Sequence, residues 1–137
     1  MTPETMAALH RRADAASRHW SAAEYAHLST AENGLLICGN HGFVLGQLST
    51  SEAEIFMIIV DPTHQRRGLG LVYLSRFETK AHSAGATRVF LEVAASNQPA
   101  QALYKRAGYQ RVGTRKNYYK APEAQPEDAL VLQKLIA

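Results

Sequence analysis

The chain has 137 residues, of which 46% are apolar and 20% charged, and a formal net charge of +3. That length suits one domain with a single core, spanning 1–137, and the mild basic excess suits an anionic ligand without pointing to nucleic acid. The only cysteine, Cys38, excludes an internal disulfide and favours a reducing compartment.

Met1 to Ala16 mixes apolar residues with Arg11, Arg12 and Asp14, and so lacks the apolar core of a signal peptide. No stretch approaches the roughly 18 apolar residues of a membrane span, which makes a cytoplasmic protein the expectation. Pro3 to Ala16 reads as a helix with Met6, Leu9 and Ala13 on one face. A short helix follows Ser21, because Ser21-Ala22-Ala23-Glu24 fits a capping box and Trp20 precedes it as a hydrophobic staple.

Three strands come next: Gly34 to Cys38, Phe43 to Leu48, and Glu54 to Val60. Gly39-Asn40-His41-Gly42 joins the first two as a hairpin turn rich in residues that tolerate positive φ. The third is nearly continuously apolar, the pattern of a strand buried on both faces. Gly68 to Ala84 then reads as a helix with Gly70, Leu74, Phe77 and Ala81 inward and Gly85 ending it. A strand from Arg88 to Ala94, a helix from about Pro99 to Ala107 stopped by Gly108, and strands at Tyr109 to Thr114 and Ala129 to Leu135 complete the chain. A long loop holding Tyr118, Tyr119, Pro122 and Pro126 separates the last two.

The strand–helix–strand unit from Ile55 to Val93 requires a crossover, so its strands are expected to be parallel. The leading hairpin and the closing pair are expected to be antiparallel. The fold class is therefore α/β (α+β), a mixed sheet flanked by helices.

Three stretches have the residue types that chemistry needs. Gln65-Arg66-Arg67-Gly68-Leu69-Gly70 joins an apolar strand to a helix N-terminus, where unpaired amides and the helix dipole attract anions. It lacks a P-loop lysine and the third glycine of a dinucleotide fingerprint, and by itself reads equally as a helix start with solvated arginines. Glu92 interrupts the apolar strand Val89-Phe90-Leu91-Val93, which calls for either a cleft or a salt bridge to an arginine. Asn97 reads as a ligand or as a cap for the helix at Pro99, and Tyr104 as a proton donor or as a core tyrosine. The six histidines show no metal-ligand spacing, and no nucleophile elbow is present, so metal and serine or cysteine chemistry are not expected.

Taken together, these stretches resemble the GNAT superfamily of acetyl-coenzyme A-dependent N-acetyltransferases. Glu54 to Val60, Asp61-Pro62 and Gln65 to Gly70 look like its cofactor motif. Leu91-Glu92-Val93-Ala94-Ala95-Ser96-Asn97, Ala102-Leu103-Tyr104 and Ala107-Gly108-Tyr109 look like its second motif. Arg115-Lys116-Asn117-Tyr118-Tyr119 and Glu127-Asp128-Ala129 are most similar to the RimI type, which acts on the N-terminal alanine of a small-subunit ribosomal protein.

The resemblance implies a mostly antiparallel sheet whose central parallel pair is splayed by a bulge. Ile58, Ile59 and Val60 would pair with the pantetheine arm of acetyl-coenzyme A, and Arg66, Arg67, Gly68, Leu69, Gly70 and Leu71 would hold its pyrophosphate. Asn97 would bond near its reactive end. Glu92 would serve as the base and Tyr104 as the acid in direct attack of an amine on the thioester. The long loop with its tyrosines would border the acceptor peptide, and the family's usual first strand is absent or rudimentary. A small-molecule amine acetyltransferase is the alternative acceptor reading. A non-catalytic acetyl-coenzyme A-binding or ribosome-interaction module is the alternative of another class, and it has no need of both Glu92 and Tyr104.

Overall fold

The structure, a computed structural model, describes residues 1–13, 20–65, 67–119 and 126–136. Its elements in chain order are α1 (Pro3–Ala13), α2 (Ala22–Ser29), β1 (Gly34–Gly39), β2 (Gly42–Ser49), β3 (Glu52–Val60), α3 (Leu69–Ser83), β4 (Arg88–Ala94), α4 (Gln98–Arg106), β5 (Gln110–Tyr119) and β6 (Glu127–Leu135). A turn of 3-10 helix, Pro62–His64, lies between β3 and α3. Among the described residues the strands form one sheet in the order β1-β2-β3-β4-β6-β5, parallel only between β3 and β4. The mixed, mostly antiparallel sheet read from the sequence is thus the sheet observed. The expected extension of α1 over 14–16 lies outside the described residues.

Local chemistry sets the helix ends. The Ser21 hydroxyl accepts from the Glu24 N–H at 3.2 Å, and the Glu24 carboxylate accepts from the Ser21 N–H at 3.1 Å, a reciprocal capping box. Trp20, just before the cap, packs on Tyr25 one turn later with ring centroids 5.4 Å apart, closing the staple. At the end of α3 the Ala86 N–H donates to the Ala81 carbonyl at 2.9 Å and the Gly85 N–H to that of His82 at 3.0 Å, a Schellman ending around left-handed Gly85. The end of α4 repeats it: the Tyr109 N–H donates to the Tyr104 carbonyl at 2.9 Å, Gly108 has φ 97°, and the two tyrosine rings meet edge to face.

Two apolar cores flank the sheet. Leu74, Phe77 and Ala81 of α3 pack on Val44, Ala53, Ile55, Val89 and Leu91 on one side. Met6, Leu9 and Tyr25 of α1 and α2 pack on Phe43, Leu45 and Ile59 on the other. The strand buried on both faces is β2, in which Gly42 through Gly46 are all buried. β3 was expected in that role, but Phe56, Met57 and Ile58 are only half-buried because part of the strand lines a fork in the sheet.

The expected hairpin joins β1 to β2, and its turn, Gly39–Gly42, uses no residue of positive φ; the left-handed residue among these hairpins is Thr50, at φ 57° in the β2–β3 turn. Gly39 is needed for space instead, since a Cβ there would fall on the Tyr73 ring. Tyr118 and Tyr119 belong to β5 rather than to a loop. The strand runs past Thr114 through an irregularity between Arg115 and Tyr119, where Asn117 takes φ 52° and its N–H donates to the Asp128 carboxylate at 2.9 Å. That side-chain bond substitutes for a ladder bond and lets pairing resume at Tyr119–Glu127.

Candidate active site

β3 and β4 pair from Glu52–Arg88 to Ile55–Leu91 and then part. The cause lies one strand away. Along β2, Leu45 faces Met57 while the next residue, Gly46, faces Ile55, so Phe56 is an extra residue in β3. A Cβ on Gly46 would sit on the Glu54 carbonyl oxygen, so the bulge requires glycine at that position. The bulge also exchanges the faces of the strand. Ala53 and Ile55 belong to the α3 core, as do Ile58 and Val60, whereas Met57 and Ile59 turn to the α1–α2 core. Beyond it β3 stays on β2 to Val60, and β4 stays on β6 to Ala94. The facing edges of Phe56–Val60 and Glu92–Ala94 are left unpaired, which opens a V-shaped slot. Ile58, Ile59 and Val60 lie along one wall, where an extended ligand arm can add as a strand.

The slot leads to the loop before α3. The Asp61 carboxyl caps the 3-10 turn by accepting from the Thr63 N–H and hydroxyl at 3.0 and 2.9 Å, and it meets Arg12 of α1 at 2.7 Å. The Thr63 bonds, and then Arg12, hold its pKa below the ordinary aspartate range. The Gln65 amide donates to the Val60 carbonyl at 3.1 Å, tying the loop to the end of β3. Gly68 stands at φ 76° as the N-cap of α3, with no side-chain cap bond and open space where a Cβ would be. The first-turn amides of Leu69, Gly70 and Leu71 are therefore uncapped by any side chain among the described residues, at an approachable helix terminus, which fits a pyrophosphate. Gly70 has another reason: a Cβ there would press on Leu103 at 3.1 Å, so it lets α3 and α4 close. Arg67 is exposed, and Arg66 lies outside the described residues.

Glu92 lies on the other wall, on the sheet face opposite α3. Burial alternates along β4, with Val89, Leu91 and Val93 in the α3 core and Phe90 and Glu92 turned away. The Glu92 carboxylate is 17% exposed and accepts from the Arg115 guanidinium of β5 at 2.8 Å. That guanidinium lies 3.8 Å from the centroid of the Tyr118 ring, and the Glu92 bond holds its pKa above the ordinary range. Both readings of Glu92 are thus realised, a carboxylate at a cleft and one paired to arginine.

Asn97 is the N-cap of α4, its side-chain oxygen accepting from the Ala100 N–H at 3.2 Å, which leaves its NH₂ to reach a ligand. Tyr104 is buried in the α3 core with its ring edge against Tyr109.

One residue not singled out from the sequence joins this group. Glu54 pairs in register with Phe90, so its side chain shares the sheet face of Glu92. Burial, then the charge of Glu92, raises its pKa, and Arg115 opposes the rise. The signal that flagged Glu92, a charge within an apolar strand, was present in Ala53-Glu54-Ile55 as well.

Comparisons with known proteins agree with this geometry. Residues 3–109 match the acetyltransferase (GNAT) family. The [ribosomal protein bS18]-alanine N-acetyltransferase of Escherichia coli is 34% identical over 108 residues, 79% of this chain and 70% of that one. The N-alpha-acetyltransferase RimI of Mycobacterium tuberculosis is 38% identical over 104 residues, 75% of this chain and 64% of that one. The crystal structure of the Escherichia coli ribosomal-protein-S18-alanine N-acetyltransferase superposes with a TM-score of 0.82 and 32% identity, covering 96% of this chain and 85% of that one. With a bulged, forked parallel pair above a glycine-marked helix start, and with about a third of its aligned residues identical to these enzymes, the chain is a member of the GNAT family of N-acetyltransferases.

Proposed function

We propose that this chain, as one domain over 1–137, transfers the acetyl group of acetyl-coenzyme A to the α-amine of a protein N-terminus, with the N-terminal alanine of a small-subunit ribosomal protein as the preferred acceptor. The observation that carries the reading is the fork between β3 and β4, with a phosphate-suited helix start at its end and Glu92 on its wall. The named activity of the relatives supplies the acceptor class. A cytoplasmic setting goes with that acceptor, and no helix among the described residues is long and apolar enough to cross a membrane.

Bound in the fork, acetyl-coenzyme A supplies a thioester carbonyl as the electrophile. Ile58, Ile59 and Val60 offer the strand edge for its pantetheine arm. Arg66, Arg67, Gly68, Leu69, Gly70 and Leu71 hold the pyrophosphate by amides and charge, and the Asn97 NH₂ donates near the reacting end. An α-amine with a pKa of about 8 arrives mostly protonated at neutral pH, and the Glu92 carboxylate takes its proton. The Tyr104 hydroxyl gives a proton to the departing sulfur, and the second proton that the nitrogen loses as the amide forms restores the phenol.

The test is mass spectrometry of short peptides differing in their first residue, incubated with acetyl-coenzyme A. Acetylation of the alanine peptide, and none of the same peptide with a blocked amine, is expected. Transfer to small amines with none to any peptide would assign the chain to small-molecule acetylation instead.

A further inference from the structure

Glu52 and Arg88, level with each other on β3 and β4, form an ion pair on the sheet face opposite α3. Two residues further along β3 comes Glu54, and its counterpart Phe90 is followed two residues later by Glu92, ~7 Å along the strand at about 3.3 Å per residue. Glu54 and Glu92 are thus diagonal neighbours where the two strands part. Arg115 is spent on Glu92. Gln47, the β2 partner of Glu54, brings no charge. Among the described residues no hydrogen bond or ion pair engages the Glu54 carboxylate, although the residue is half-buried. Two carboxylates and one guanidinium leave one negative charge unanswered, beside the group that takes the amine's proton.

We propose that Glu54 seats the α-ammonium of the acceptor next to Glu92, making it a specificity-determining residue for a cationic primary amine. The inference rests on the N-terminal acetyltransferase reading above and adds the acceptor's contact to it. A +1 ammonium completes the charge of the Glu54–Glu92–Arg115 group, which no single residue of the three can do. Glu54 seats the ammonium only as a carboxylate, so its raised pKa enters the acidic limb of the pH–rate profile. The proton taken from the ammonium goes to Glu92 and passes to water once the amide has formed.

A carboxylate whose pKa is raised by folding favours the native state most when protonated. That advantage is complete below the ordinary glutamate range and is lost as pH rises through the raised value. Removing the charge therefore stabilises the fold at neutral pH and not at acidic pH, the reverse of what removing a structural ion-pair partner does.

The experiment compares the wild-type full chain with Glu54→Gln and Glu54→Asp, using an alanine-first peptide as acceptor. For Glu54→Gln the expected result is a peptide KM raised about tenfold, kcat within about threefold of wild type, and coenzyme A affinity by calorimetry unchanged. The acidic limb of kcat/KM moves to lower pH, and Tm rises at neutral pH but not below the ordinary glutamate range. Glu54→Asp recovers part of the lost KM. Unchanged KM and an unmoved acidic limb in Glu54→Gln, with an active wild type, overturn the proposal and leave the acetyltransferase reading standing. A fall in neutral-pH Tm accompanied by an equal loss of coenzyme A binding overturns it as well, by assigning Glu54 to the fold. A wild type inactive on every peptide removes both readings together.

Discussion

Glu92 and Gly68 show how single residues are held to a task by what surrounds them. Glu92 lies on a strand whose alternate residues fill the core, and its charge is tolerated because it reaches the fork and meets Arg115. Replacing Glu92 by Gln is expected to lower kcat about 10²-fold or more while coenzyme A binding by calorimetry stays the same, because in the proposed mechanism the carboxylate acts on the amine. Gly68 is demanded by φ 76° and not by crowding. Gly68→Ala is expected to cost about 1–2 kcal/mol of stability in urea titration and to weaken coenzyme A binding, as the loop relaxes away from the left-handed conformation. Unaltered coenzyme A affinity in a stably folded Gly68→Ala protein would separate the loop from the cofactor. Glu92, Asn97, Tyr104 and the loop glycines were all legible as candidates, since each breaks a local pattern. Glu54 breaks one too, but its meaning depends on which strand lies beside it.

Elements with local causes were read closely from the sequence. The capping box at Ser21, the staple at Trp20 and the glycine endings at Gly85 and Gly108 involve residues within six positions of one another, so the signal is contiguous. Ser21→Ala removes the acceptor for the Glu24 N–H and is expected to cost about 1 kcal/mol in chemical denaturation, with little effect on the far fork. β5 was read too short because Arg115-Lys116-Asn117 is polar and resembles a turn. Pairing with β6 and the Asp128 bond to the Asn117 N–H keep it in the sheet. The β3 bulge is invisible within Glu54 to Val60 itself, an unbroken apolar run after Glu54. Its sequence counterpart is Gly46, on a different strand.

At the scale of the molecule, α3 connects the site to the far edge of the sheet. Its Glu78 accepts from the Tyr109 hydroxyl at 2.9 Å and pairs with Lys134 of β6 at 2.8 Å. Burial, then the charge and bond of Glu78, raises the Tyr109 pKa, so the phenol stays protonated and remains a donor. The network joins the helix that begins after Gly68 to the strand that backs β4. Tyr109→Phe leaves the Glu78 carboxylate, already shielded from water, one donor short. It is expected to cost about 1–3 kcal/mol in a denaturation experiment, with coenzyme A affinity retained because the fork is not rebuilt. A neutral outcome would mean that water replaces the hydroxyl at no cost.

The sequence by itself determined the helices, most strand positions, the single parallel pair and the residue types of the site. Each of these follows from spacing, capping or connection length along one stretch of chain. Only the tertiary structure decided that Phe56 is the extra residue, that Arg115 reaches across β6 to Glu92, and that Glu54 faces the same cleft. The physical reason is register. Which residues meet across neighbouring strands depends on a one-residue offset between segments far apart in the chain, and a single bulge exchanges every side chain beyond it from one face to the other.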